Sequence, residues 1–200
     1  LLVVVMAIGF SFIGLNKITI KGSDTMVILS QQWAEAYMKK HPETTIQVTG
    51  GGSGVGLAAL INGSTDIANS SRPIKPAEVE KLKAKYNKSG VEIACAKDGL
   101  SVFLNKGNTV SELTVEQIGD IFSGKITNWK QVGGADAKIQ LYGRESSSGT
   151  FEFFKEHVVK TDFSPTCQTL PGTAAIVNAV KKDKYSIGYG GAAYAEGVKD

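Results

Sequence analysis

Residues 45–56 read TIQVTGGGSGVG: a β-branched run that stops on three consecutive glycines and resumes with small residues. Residues 45–49 have the residue types of a strand, and residues 55–61 those of a short helix. The join between them, Gly50 to Gly56, is a strand-to-helix loop without a bulky side chain before Val55. The same design recurs at Gly22-Ser23-Asp24-Thr25 and at Arg144-Glu145-Ser146-Ser147-Ser148-Gly149-Thr150. A fourth segment, Ser70-Ser71-Arg72-Pro73, closes a short strand in the same way. Any one of these reads as a turn with an N-cap. Together they exceed what turns require, because a turn needs neither an arginine nor a triple glycine.

Outward from that unit the chain alternates strand and helix. Residues 18–21 predict a strand, and a helix follows to about Lys40, with Met26, Leu29, Trp33 and Tyr37 on one face and His41-Pro42 as its stop. Residues 66–69 predict a strand, and Pro76 opens a charged helix to about Asn87. Strands are expected over 91–96 and 100–105, on either side of a Lys97-Asp98-Gly99 turn. Thr114 and Gln117 form a capping box for the next helix, whose apolar stripe is Ile118, Ile121 and Phe122. Strands over 138–142 and 185–189 and helices over 147–158 and 173–182 complete the pattern. Such alternation defines an α/β architecture with largely parallel sheets.

The loops share an anion-binding chemistry. The first N–H groups of a helix have no partner within it, and the helix dipole adds positive potential there. Glycine lets the backbone approach a ligand, hydroxyls donate without bulk, and Arg144 offers a charge-assisted contact. In open α/β sheets, ligands bind beyond the carboxyl ends of the strands, where all these segments fall.

The balance of 22 basic and 19 acidic side chains, net +3, lacks the basic excess of a nucleic-acid binder. Lys39-Lys40 and Lys181-Lys182 read as solvated helix ends. The glycine run lacks the Lys-Ser/Thr ending of a Walker loop and does not fit a G-x-G-x-x-G register. Ser147 lacks the flanking glycine of a nucleophile elbow. His41 and His157 share no motif with a serine or aspartate, and no metal-binding motif or cofactor signature is present. Cys95 and Cys167 lie far apart, and a disulfide between them stays open as one alternative to two separate thiols. Residues 1–15, LLVVVMAIGFSFIGL, are uncharged, too short to span a membrane, and match the hydrophobic region of a signal peptide. A periplasmic or extracellular location is therefore expected, with a buried strand as the alternative reading of the segment.

Five stretches, KGSDTM from Lys21, TGGGSGVG from Thr49, DIANSSR from Asp66, ELTVEQIGDIFSGKITNWKQVGG from Glu112 and RESSSGTFEFF from Arg144, resemble the phosphate-binding proteins of ABC-type phosphate importers. The resemblance spans nearly everything after Asn16. It implies a type II-like, two-lobed periplasmic-binding-protein fold: lobe I over 16–97, lobe II over 98–200, and the C-terminal part of the first lobe missing. It also implies a monomeric, non-enzymatic receptor that delivers inorganic phosphate to a membrane permease. The residues it assigns to the anion are Thr25 with the Met26 backbone, Ser53, Arg144, Ser148, Gly149 and Thr150. Asp24, Gly54 and Ser147 are accessory candidates. Position 71 departs from the family pattern: Ser71 stands where many members have an aspartate that accepts a hydrogen bond from protonated phosphate, and Arg72 is expected to add a contact. Ser146 stands where an aspartate commonly braces the arginine. Sulfate or another tetrahedral oxyanion is the alternative ligand. The alternative functions are a hydrolase or phosphatase using a serine of 146–148, and an adhesion or signalling module.

Overall fold

The computed structural model describes residues 16–200, so the signal-like segment 1–15 lies outside the described residues. A parallel sheet of order β2-β1-β3 is built from β1 (Asn16–Gly22), β2 (Thr44–Thr49) and β3 (Ile67–Asn69). Their crossovers are α1 (Val27–Lys40), entered through a 3-10 turn at Asp24–Met26, and α2 (Ser53–Asn62). α3 (Pro76–Tyr86) packs on α2.

The second sheet, of order β4-β7-β5-β6, uses β4 (Leu100–Leu104), β5 (Gln140–Arg144), β6 (Gln168–Leu170) and β7 (Ser186–Gly191). β5 runs parallel to both neighbours, and β4 is antiparallel to β7. α4 (Val115–Ser123), α5 (Gly149–Phe154) and α6 (Gly172–Lys182) flank it. The capping box of α4 is formed: the Gln117 N–H donates to Thr114 Oγ1 at 3.1 Å, and the Thr114 N–H donates to Gln117 Oε1 at 2.9 Å.

Two apolar clusters enclose the second sheet. Ile121, Phe122, Trp129, Phe154, Ile187 and Tyr189 fill one, and Phe103, Ile176, Val177 and Val180 the other. Neighbouring residues of β4 divide between them, Leu104 to the first and Phe103 to the second, as strand alternation requires. The Phe154 and Tyr189 rings stack at 3.9 Å, and Phe122 meets Phe154 edge-on at 5.0 Å. The most distinctive stretch of the sequence, IFSGKITNW, proves to belong to this core. Trp129 is fully buried, and its indole N–H donates to the Tyr185 carbonyl at 2.9 Å.

Four expectations need correction. Residues 91–96 form no strand: Val91 is 89% and Ile93 76% exposed, because alternation without a neighbouring strand leaves the backbone unpaired. α1 does not bury its large stripe. It packs with Ser30 and Ala34 inward, while Trp33 and Tyr37 stay exposed, because small side chains let the helix lie close to the sheet. The helix expected over 147–158 begins at Gly149 and widens into a π-helical turn at Lys155–Val159. β6 was not foreseen. Cys95 and Cys167 are both free thiols, and burial pushes the Cys167 thiol up to about 11. No helix among the described residues is long and apolar enough to cross a membrane.

Truncating Phe154 to Ala removes a fully buried ring and is expected to cost about 3–5 kcal/mol. Urea denaturation measures this, and a loss below about 1 kcal/mol would place the ring stack outside the cooperative core.

Candidate functional site

The loops that leave β1, β2, β3 and β5 meet one another between the two sheets' carboxyl ends through direct contacts. At the start of α2, Gly52 adopts φ +91°, and a Cβ there would lie 2.8 Å from the Ser147 carbonyl oxygen. Only glycine accepts both the conformation and the contact. The neighbouring Gly54 N–H donates to that carbonyl at 2.9 Å, and Ser147 Oγ reaches the Gly51 carbonyl at 3.4 Å. Gly54 and Ser147 therefore form a seam between the halves of the molecule.

Arg144 sits at the end of β5 with its side chain 1% exposed. Its Nη2 donates to Asp24 Oδ2 at 2.6 Å and to Glu145 Oε1 at 3.1 Å; Nε donates to Glu145 Oε2 at 3.2 Å, and Nη1 to Thr173 Oγ1 at 3.0 Å. Asp24 joins the halves. Its Oδ1 accepts from the Gly51 N–H at 2.9 Å, and its carbonyl accepts from Tyr194 Oη at 2.6 Å. The bracing that the family pattern assigns to position 146 is thus supplied by Glu145, Asp24 and Thr173. Burial is the largest single influence and works to raise the Glu145 carboxyl; the Arg144 hydrogen bonds, the Arg144 charge and the backbone N–H groups of Glu145 and Gly172 together outweigh it, holding Glu145 below its ordinary 4.5.

The hydroxyls gather beside this pair. Ser53, Ser148 and Thr150 are buried. Ser53 Oγ accepts from the Ser71 N–H at 3.1 Å and lies 3.2 Å from Ser71 Oγ. Across the seam, a Cβ built on Gly149 would fall 2.5 Å from Ser53 Oγ and 2.6 Å from Ser71 Oγ. The start of α5, with Ser148 as its N-cap, therefore packs directly against Ser53, which begins α2, and Ser71, in the loop after β3. Thr25 Oγ1 pairs with Ser23 Oγ at 2.8 Å, and the Thr25 side chain lies against Gly191.

Two expected contacts are committed elsewhere. The Met26 N–H donates to the Ser23 carbonyl at 3.2 Å, closing the 3-10 turn. Arg72 holds Glu78 through both Nη atoms, at 2.9 and 2.8 Å, and its Nε lies 3.1 Å from Glu152 of α5. Glu78 takes both terminal nitrogens in hydrogen bonds, whereas the buried Nε meets Glu152 as a charge contact without a hydrogen bond. Thr173, Tyr194 and Glu78 stand in no motif of the sequence. Only the Glu152 position, in the first turn of a helix that begins at a candidate loop, was a signal.

Arg144, Asp24 and Glu145 together carry a net negative formal charge, so an anion here relies on amides, hydroxyls and helix ends more than on net charge. The histidines lie apart from this cluster: His41 stacks on Tyr37, and His157 lies against Phe153. Among the described residues no group of three or more His, Cys, Asp or Glu side chains is arranged to hold a metal ion.

Two α/β units meeting at such a seam have the two-lobed architecture of a periplasmic-binding-protein fold. The chain belongs to the PBP superfamily, whose domain description matches residues 14–199. It is 34% identical over 186 residues to phosphate-binding protein PstS of Pseudomonas aeruginosa, covering 86% of this chain and 58% of that protein. It is 39% identical over 184 residues to PstS of Staphylococcus epidermidis, covering 90% and 56%. The chain thus spans somewhat more than half the length of these curated relatives. Among solved structures, a protein from Clostridium perfringens with bound phosphate, assigned as a phosphate ABC transporter substrate-binding protein, superposes with a TM-score of 0.84 at 32% identity, over 92% of this chain and 74% of that one. An ABC-type phosphate transport receptor from Vibrio cholerae gives 0.63 at 32% identity, over 91% and 74%.

A carboxylate held below its ordinary value stabilises the fold above that value and loses the effect as pH falls through it. Acidification below 4.5 is therefore expected to weaken the fold through Glu145. Glu145→Gln should flatten that part of the acid limb in urea unfolding followed against pH; an unchanged limb would remove Glu145 from the account.

Proposed function

We propose that this chain captures inorganic phosphate between its two lobes, outside the cytoplasm, for transfer to the permease of an ABC-type importer. Lobe I is taken as residues 16–97 and lobe II as residues 98–200. The observation that carries this is the approach of Gly149 to Ser53 and Ser71 across the seam. The contact brings the start of α5 in one lobe against two hydroxyls of the other, which supports a shared binding site at this junction. Ser148, Thr150 and Thr25 supply further hydroxyls, and Arg144, held by Asp24, Glu145 and Thr173, stands beside them. The names of the relatives, and the phosphate in the Clostridium perfringens protein, support the same reading.

Each neutral hydrogen bond is worth about 1 kcal/mol net and each one to a charge about 1.5–3 kcal/mol, so roughly ten such contacts are needed for micromolar binding after association costs. Closure follows from the geometry, because a ligand touches both lobes only when they meet.

A specific observation favours a second oxyanion. Asp24 Oδ1 and Oδ2 accept from Gly51 and Arg144, and both Glu145 oxygens accept from Arg144. Position 71 offers a hydroxyl instead of a carboxylate. A hydroxyl both donates and accepts, so it rejects fully ionised sulfate less sharply than a carboxylate does.

Calorimetric titration with phosphate, and with sulfate as competitor, tests both readings. Gly149→Ala places a methyl against Ser53 and Ser71 and is expected to cost about 1–3 kcal/mol of binding, roughly tenfold or more in Kd. Phosphate binding unaffected by this methyl would remove the ligand from the seam.

A further inference from the structure

Arg72 and Glu152 bracket the seam at a distance from its hydroxyls. Arg72 directly follows Ser71 in lobe I, and Glu152 lies in the first turn of α5, on the same turn as Gly149 and Thr150. Arg72 Nε stands 3.1 Å from Glu152 Oε2, a charge contact in which the buried N–H is not aligned as a hydrogen bond, and Lys75 Nζ stands 2.8 Å from the same oxygen. The Arg72 side chain is 9% exposed, and its remaining donors are fixed by Glu78 at 2.9 and 2.8 Å. Glu78 is held below its ordinary value by Arg72, so its charge persists at neutral pH. Glu78 also accepts from the Lys75 N–H at 2.8 Å, which anchors the start of α3. The guanidinium is thus preorganised on lobe I with one edge turned to lobe II. Glu152 is in turn favoured by its place in a helix first turn.

We propose that Arg72 and Glu152, assisted by Lys75, form an interlobe clasp that sets how readily the protein closes and so how tightly it holds its anion, without touching that anion. A partly buried, preorganised ion pair gains more than two mobile surface chains do, because little side-chain entropy remains to be lost. The clasp exists only when the lobes meet, so its free energy adds to the closed state alone. Because Ser71 and Gly149 sit beside its two halves, it also fixes the gap between the lobe I hydroxyls and the α5 amides. The link to affinity rests on the proposed phosphate site; the effect on closure does not.

The test uses the chain with Glu152→Gln, Arg72→Gln and the double variant, measuring the phosphate Kd by calorimetry and the ligand-free radius of gyration by small-angle X-ray scattering. Glu152→Gln leaves the Arg72–Glu78 pair intact, so the fold of lobe I is preserved. Each single variant is expected to weaken phosphate binding roughly tenfold and to expand the ligand-free protein, with the double variant no worse than the poorer single one. Loss of binding in Arg72→Gln alone, with Glu152→Gln unchanged, would make Arg72 a direct ligand contact and overturn the clasp. An unchanged radius of gyration in Glu152→Gln would overturn it as well. If the unmodified chain binds no phosphate, the reading of the site fails. Expansion of Glu152→Gln would then still support the clasp, and its absence would refute it.

Discussion

The buried contact between Arg144 and Asp24 governs the arrangement of this molecule. A guanidinium removed from water costs several kcal/mol unless its donors are met. Glu145 and Thr173 meet part of that demand from the half that carries Arg144, and Asp24 meets the rest from the other half at 2.6 Å. Satisfying this charge and bringing the two sheets together are therefore the same event. Asp24 also accepts the Gly51 N–H, so the ion pair fixes the glycine loop ahead of α2 as it forms.

The seam works because it is lined with residues that take little room. Gly52, Gly54 and Gly149 allow backbone and hydroxyl groups from opposite sides to approach at hydrogen-bonding distance. Large side chains are excluded there, and the ion pairs stand to either side: Arg144 with Asp24, and Arg72 with Glu152. The result is a close-packed junction lined by backbone dipoles and hydroxyls.

Cohesion is unevenly distributed. The second sheet has apolar clusters on both faces, with Phe122, Phe154 and Tyr189 in mutual ring contact. The first unit buries fewer apolar side chains, chiefly Ala34, Leu57, Ala59 and Leu82, and α1 leaves Ile28, Trp33 and Tyr37 exposed. The second unit holds Arg144 and the start of α5 on a rigid base, against which the first unit is positioned.

The sequence by itself determined most of the element pattern and the chemistry of the site. The triple glycine, the serine-rich loop after Arg144, the proline at the start of α3 and the capping box at Thr114 are local signals, and local backbone physics decides them. It could not decide pairing. The alternation of Val91, Ile93 and Cys95 looked like a strand, and no neighbouring strand among the described residues takes it up. Arg72 looked like a ligand contact, and Glu78 and Glu152 engage it instead. Asp24 and Arg144 are 120 positions apart, and nothing in either neighbourhood announces the other. Which charge meets which is a property of two folded surfaces in contact, because Coulomb and hydrogen-bond energies depend on distance and desolvation that only tertiary packing sets.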